Sequence, residues 1–302
     1  MLNLNGMSRI AHIGLGRTLF RQQKYGEALE HFRFANDREG YSDCFWELRD
    51  RFITGNMIWF VLGFVVIAAI ILLIPGKKKA SVSIGRQLFQ NSPNGVSRFG
   101  IDLCFARYML VHPIDGYYYL KRGIRGSVVS ATLLYIISFL AFALDNMGRA
   151  FIFNTSSLKD SFLTVTALFV CATVLWNVGN YMVSTINSGE GSFKNVYIMT
   201  AYALTPYWIF TFLKVAVSYL LTDNEAFVLT LLSITAIIWA AALIFTGLIE
   251  IHNYSFAETV KNIILTAIAM ILAVVAVAII YLIWTRLASF LRDIGTEVTY
   301  IV

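Results

Sequence analysis

The sequence predicts an all-α membrane protein, a polytopic bundle of about six spanning helices preceded by a short helical segment. Of its 302 residues, 58% are apolar and only 14% are charged, whereas soluble domains run at about 45–50% and about 25%. The mean hydropathy is +0.67, and six separate stretches approach the roughly 20 apolar residues a helix needs to cross a hydrocarbon core. Basic residues flank these stretches. That pattern reads as topology signal and contact with anionic lipid, so the formal charge of +6 does not indicate a nucleic-acid partner.

The first 54 residues carry no such stretch. From Ser8 to Gly40 the chain places Leu15 and Gly16, then Lys24 and Tyr25, then Ala28, Phe32 and Ala35, with the two apolar clusters on separate helices. This spacing resembles a tetratricopeptide repeat, in which small residues let two helices approach and an aromatic fills the wedge to the next repeat. His12, Leu19 and Gly40 stand where the motif usually has Trp, Tyr and Pro. The following YSDCFWELRDRF, with Trp46, reads as the first helix of a next repeat or a cap. Stacked repeats need at least about three units for a stable core. The resemblance therefore implies that the array begins upstream or is completed by another repeat-containing chain, with Leu15, Gly16, Tyr25, Ala28, Phe32 and Trp46 as partner-contact candidates. The alternative is a plain amphipathic hairpin lying on the membrane.

The first span, residues 57–74, is an unbroken apolar run stopped by Pro75, Gly76 and three lysines. Residues 75–126 carry Lys77, Lys78, Lys79, Arg86, Arg98, Arg107, Lys121, Arg122 and Arg125, and the positive-inside rule places this segment in the cytoplasm. The later spans are 128–144, 162–183, 196–221, 227–249 and 263–284, followed by a tail from 287. The connection after the second span holds only Arg149 and Lys159 as basic residues and the one after the fourth holds none, so both face outward, as does the C terminus. The first 56 residues also carry eight basic residues, in conflict with their implied outward position.

Pro113 biases His112 away from helix and predicts a bend. Beside it, Tyr117, Tyr118 and Tyr119 precede Lys121, Arg122 and Arg125, a combination suited to the headgroup zone. These residues carry a second resemblance. His112-Pro113, YLKRGIRG (119–126) and AYALTPY (201–207) resemble the Yip family (Ypt/Rab-interacting proteins) in its bacterial branch, over residues 105–286. The resemblance implies a five-span bundle over 127–286 and a non-catalytic protein of the bacterial cell membrane that organises other membrane proteins. With a repeat segment attached, it implies a companion of carbohydrate-type ABC transporters.

Polar residues within spans are the remaining candidates, because lipid makes them costly. Asn177 and Asn180 read as hydrogen-bonding glue between helices. Pro206 frees a carbonyl and predicts a kink in the fourth span. Lys214 reads as snorkelling to the outer surface. Glu250, His252 and Glu258 fit no metal-ligand spacing and read as a solvated loop, with Ser255 and Glu258 forming a capping box. Cys44, Cys104 and Cys171 lie in three different segments, which argues against both zinc and a disulfide framework.

No Walker A motif, HExxH or paired intramembrane Asp is present, and all four histidines lie outside the spans. No cofactor and no enzyme activity are expected. The competing function is a transporter or channel moving a small solute itself, against which stand a single proline-bearing span and the lack of an acidic residue near the midplane.

Overall fold

The computed structural model describes residues 8–59, 62, 96–154 and 162–301. Every regular element among them is helical: α1 Arg9–Arg21, α2 Tyr25–Phe34, α3 Arg38–Gly55, α4 Val96–Val111, α5 Pro113–Lys121, α6 Val128–Met147, α7 Phe162–Ile186, α8 Phe193–Ala203, α9 Thr205–Ser218, a 3₁₀ turn Asp223–Glu225, α10 Ala226–His252 and α11 Phe256–Ile301. Among the described residues, five helical stretches, ending with Phe256–Ile294, are long and apolar enough to cross a membrane. The expected first span, 57–74, lies outside the described residues except near its start.

Local chemistry sets the boundaries. Ser8 caps α1, its side chain accepting from the Ala11 amide, and Asp37 caps α3 by accepting from Gly40. Left-handed Gln23 and Asn36 (φ 60° and 52°) turn the chain between α1, α2 and α3. α5 starts with Pro113 at its first position after a non-helical His112 (φ −125°, ψ 66°), where the missing amide proton costs nothing.

The fourth span is broken where its proline predicts. α8 ends at Ala203 and α9 begins at Thr205. Pro206 has no N–H for the carbonyl of Tyr202, and the Thr205 hydroxyl donates to that carbonyl instead at 2.6 Å. The sixth span overshoots its expected end at 284. α11 continues to Ile301, 46 residues in all, or about 69 Å at the helical rise, with no proline to interrupt it.

The chain clusters into two compact units assembled from separated stretches rather than consecutive segments: 1–101, 140–161 and 208–237 in the first, and 102–139, 162–207 and 238–302 in the second. The first holds two apolar clusters. One is Ala28, Phe32 and Cys44 with Leu19 and Tyr41 around them; the other is Ala150, Ile152, Phe153 and Leu229. The second unit has one core, centred on Phe105, Met109, Tyr117, Leu134, Met199 and Tyr202.

In the first unit the Phe32 ring is wedged between two glycines. A Cβ on Gly40 would lie 2.5 Å from the ring and one on Gly16 2.9 Å, whereas Gly14 and Gly26 face open space. Gly40→Ala should therefore destabilise the N-terminal helices by about 1–3 kcal/mol, since overpacking outweighs the gain in helix propensity. Gly14→Ala should stabilise them by about 0.5–1 kcal/mol. Thermal unfolding followed by limited proteolysis of the N-terminal helices checks both signs.

Candidate functional site: docked N-terminal helices and buried polar clusters

Within the first unit, the predicted repeat residues divide into two groups. Gly16, Tyr25, Ala28 and Phe32 are buried inside the helices they join, so they hold the fold of the segment. Tyr25 packs edge-on to Phe20 at 5.2 Å and carries the Arg51 guanidinium over its ring at 4.6 Å. Leu15 and Trp46 are exposed. Nδ1 of His12 and Nδ1 of His31 lie 2.9 Å apart, bridging α1 and α2 by one hydrogen bond. Burial, with the charges of Asp43 and Glu47 beside it, pushes the Cys44 thiol up to about 12 and leaves it unreactive.

α3 carries the side chains that meet the connections between spans. Arg49 forms a bidentate pair with Glu225, Nη1 to Oε2 at 2.6 Å and Nη2 to Oε1 at 2.8 Å, and also donates to the carbonyl of Leu220 at 2.8 Å. Glu225 closes a capping box with Thr222 at the same time. The Asp223 amide donates to Ser42 Oγ at 2.9 Å, and Arg38 donates to the carbonyl of Asn154 at 2.6 Å. Tyr41 lies against Phe151, ring centroids 5.0 Å apart, and with Phe45 packs on the Ala150, Ile152, Phe153 and Leu229 cluster.

Lys214 does not snorkel. It is buried, its Nζ 2.6 Å from Asp145 Oδ1 and 3.1 Å from the Ser233 hydroxyl that accepts from it. Arg149 adds a second cation 3.6 Å from Asp145 Oδ1 while its Nε donates to the Asp145 carbonyl. This ionic cluster joins α6, α9 and α10, and sequence reading missed it. The available signal was opposite charge at the ends of two apolar spans. Removing one partner of such a pair costs about 3–5 kcal/mol, because the other charge is left partly buried and alone.

In the second unit, the three basic candidates have three different settings. Lys121 pairs with Glu190 at 3.0 Å. The Arg122 guanidinium stacks over Tyr118 at 4.5 Å. Arg125 is only 4% exposed, which corrects its expected place at the headgroups. Left-handed Gly123 and Gly126 turn the chain here (φ 67° and 77°), and the tightness of that turn carries Arg125 inward.

Asn177 and Asn180 are both buried on α7. Asn177 donates to the Tyr135 hydroxyl at 2.9 Å, linking α7 to α6, and to the Thr173 carbonyl one turn back. Asn180 donates to Asn262 Oδ1 of α11 at 2.9 Å. The Tyr202 hydroxyl of the AYALTPY segment shares a hydrogen bond with Ser130 at 3.0 Å and donates to the Asp102 carbonyl at 2.8 Å.

His252 corrects the expectation of a solvated loop: it ends α10 and is fully buried, accepting from the Gly191 amide at 3.3 Å. Gly189 and Gly191 leave no room for a Cβ against it. Glu258 accepts from the Ser255 amide and hydroxyl at the start of α11, as the capping box requires. Among the described residues no group of three or more His, Cys, Asp or Glu side chains could hold a metal ion.

Apolar spans stitched by internally paired polar side chains define an all-α, polytopic, multi-pass membrane protein. The match that names its family runs through the same His-Pro segment, basic turn and broken span: the Yip1 domain model covers residues 107–287, more than half of the chain, and the chain belongs to that family. This membrane family is not a known enzyme family. No curated protein and no solved structure matches the chain.

Two outcomes follow. Asn180→Leu should cost about 1 kcal/mol, the usual worth of an interhelical hydrogen bond in a membrane, read as a lower unfolding midpoint in detergent. The charge and hydrogen bond of Lys121 hold the Glu190 carboxyl below its usual 4.5. Its contribution is therefore complete above that value and is lost as pH falls through the lowered one. A midpoint difference between the native chain and Glu190→Gln should persist at neutral pH and disappear in acid.

Proposed function

We propose that this chain is a non-catalytic accessory or scaffold subunit that associates with other membrane proteins through its N-terminal helices. The observation that carries the reading is the docking of α3. Arg38, Ser42 and Arg49 fasten it to the connections between spans, while Ile10 and Phe34 remain 77% exposed and Trp46 46% exposed. A segment fastened through α3 that leaves apolar side chains exposed on α1 and α2 is built to present them to a partner. The glycine-wedged Phe32 supports the reading of α1 to α3 as a tetratricopeptide-type fragment completed by a repeat-containing partner.

The partner class we favour, on the resemblance to the bacterial Yip branch, is a carbohydrate-type ABC transporter complex in the bacterial cell membrane. The charge rule supports a cytoplasmic position for 76–126. The N-terminal helices share the side of the connections they touch, after α6 and after α9, which the same rule assigns to the outside.

A second reading, a solute transporter, is favoured by the Asp145–Lys214 pair, because ionisable groups within membrane spans commonly mark transport paths. Here the two charges pair with one another and Lys214 donates to Ser233, so the pair has a structural use that needs no solute.

Gentle extraction of tagged protein from its native membrane should yield co-migrating membrane subunits. Ile10→Ala with Phe34→Ala should reduce that association at least about tenfold, the equivalent of about 1.4 kcal/mol, without lowering the unfolding midpoint. A chain that purifies alone, or that moves solute across liposomes unaided, would overturn the proposal.

A further inference from the structure

We infer that the Asp145–Lys214 ion pair positions the platform on which α3 docks, so that attachment of the N-terminal helices depends on a charge pair that itself lies outside the contact. The inference is independent of which partner those helices meet.

The argument starts at the pair and moves outward. Asp145 lies three residues before Gly148 on α6, and Lys214 four residues before Ser218 on α9. Directly beyond the pair the two chain exits are stitched together. The Ala150 amide donates to Ser218 Oγ at 3.1 Å, and the Tyr219 hydroxyl donates to the Gly148 carbonyl at 2.7 Å. The next residues on each strand of chain receive α3: Phe151 and Asn154 on one, Leu220, Asp223 and Glu225 on the other. Ser233 extends the pair to α10, where Leu229, one turn earlier, belongs to the cluster that Tyr41 and Phe45 pack against. All three walls of the platform thus converge on one ionic cluster.

Loss of Lys214 would leave Arg149 as the nearest cation to Asp145, at 3.6 Å. For Arg149 to take over, its guanidinium must turn from the Asp145 carbonyl, to which Nε now donates at 2.6 Å. Arg149 is adjacent to Ala150, so the adjustment falls on the backbone that forms the platform.

The test uses thiol labelling of the full chain in detergent, with exposed Cys104 and Cys171 replaced by serine. One reporter carries Ser42→Cys and Cys44→Ser. Ser42 is 4% exposed and faces the Asp223 amide, so its position opens when α3 lifts off. A second reporter keeps Cys44 alone, buried between α2 and α3, and opens only when the N-terminal helices themselves unfold. Lys214→Met should raise maleimide labelling of the Ser42→Cys reporter by at least about tenfold and leave the Cys44 reporter slow, because labelling follows the population of the opened state. The exchanged pair, Asp145→Lys with Lys214→Asp, should bring the first rate back to within about threefold of the reference. Unchanged labelling in Lys214→Met overturns the inference. If Lys214→Met exposes both reporters, the exchanged pair decides: recovered protection of both sustains the inference, and failure to recover overturns it.

Discussion

Inside a bilayer no water is available to complete a hydrogen bond, so each polar group of a span must find its partner within the protein. The architecture of this chain depends on that constraint. Where Pro206 interrupts the fourth span, the carbonyl of Tyr202 is served by the Thr205 hydroxyl. Where Asn177 and Asn180 lie within α7, each donates across to another helix. Where a lysine is buried on α9, an aspartate of α6 and a serine of α10 surround its ammonium. The two asparagines and the lysine are therefore also ties between helices.

The connections between spans obey a different rule, because there water or another polypeptide can satisfy the backbone. In the first unit, part of that task falls to the N-terminal helices. Ser42 accepts from the Asp223 amide, and arginines 38 and 49 donate to the carbonyls of Asn154 and Leu220. Glu225 both caps the turn that opens α10 and receives the Arg49 fork. One carboxylate thus fixes the start of a span and the seat of a soluble helix together. Loosening either loosens both.

Local periodicity made the spans, the His112-Pro113 bend, the break at Pro206 and the Ser255–Glu258 cap legible, since each depends on residues within about one helical turn of one another. The wedge of Phe32 was readable because small residues spaced around an aromatic already describe a close helix approach. Lateral partners were not. Lys214 and Asp145 are 69 residues apart, and a lysine near a span end snorkels in isolation; only an acid on the neighbouring helix makes burial the better option. Arg49 and Glu225 are separated by 176 residues, beyond anything a single chain's pattern encodes. Arg125 looked like one more cation of a basic run, and the two left-handed glycines that carry it inward sit on either side of it.

The same constraint bears on the choice between scaffold and transporter. A transport site keeps part of its polar equipment unsatisfied so that a solute can complete it. In the first unit Asp145 and Lys214 pair with each other, Lys214 also donates to Ser233, and the chain exits beyond them meet α3. On α1 and α2, Ile10 and Phe34 stay exposed and apolar. Exposed apolar side chains are complementary to another protein rather than to a small polar solute, and that complementarity is the physical ground of the scaffold reading proposed above.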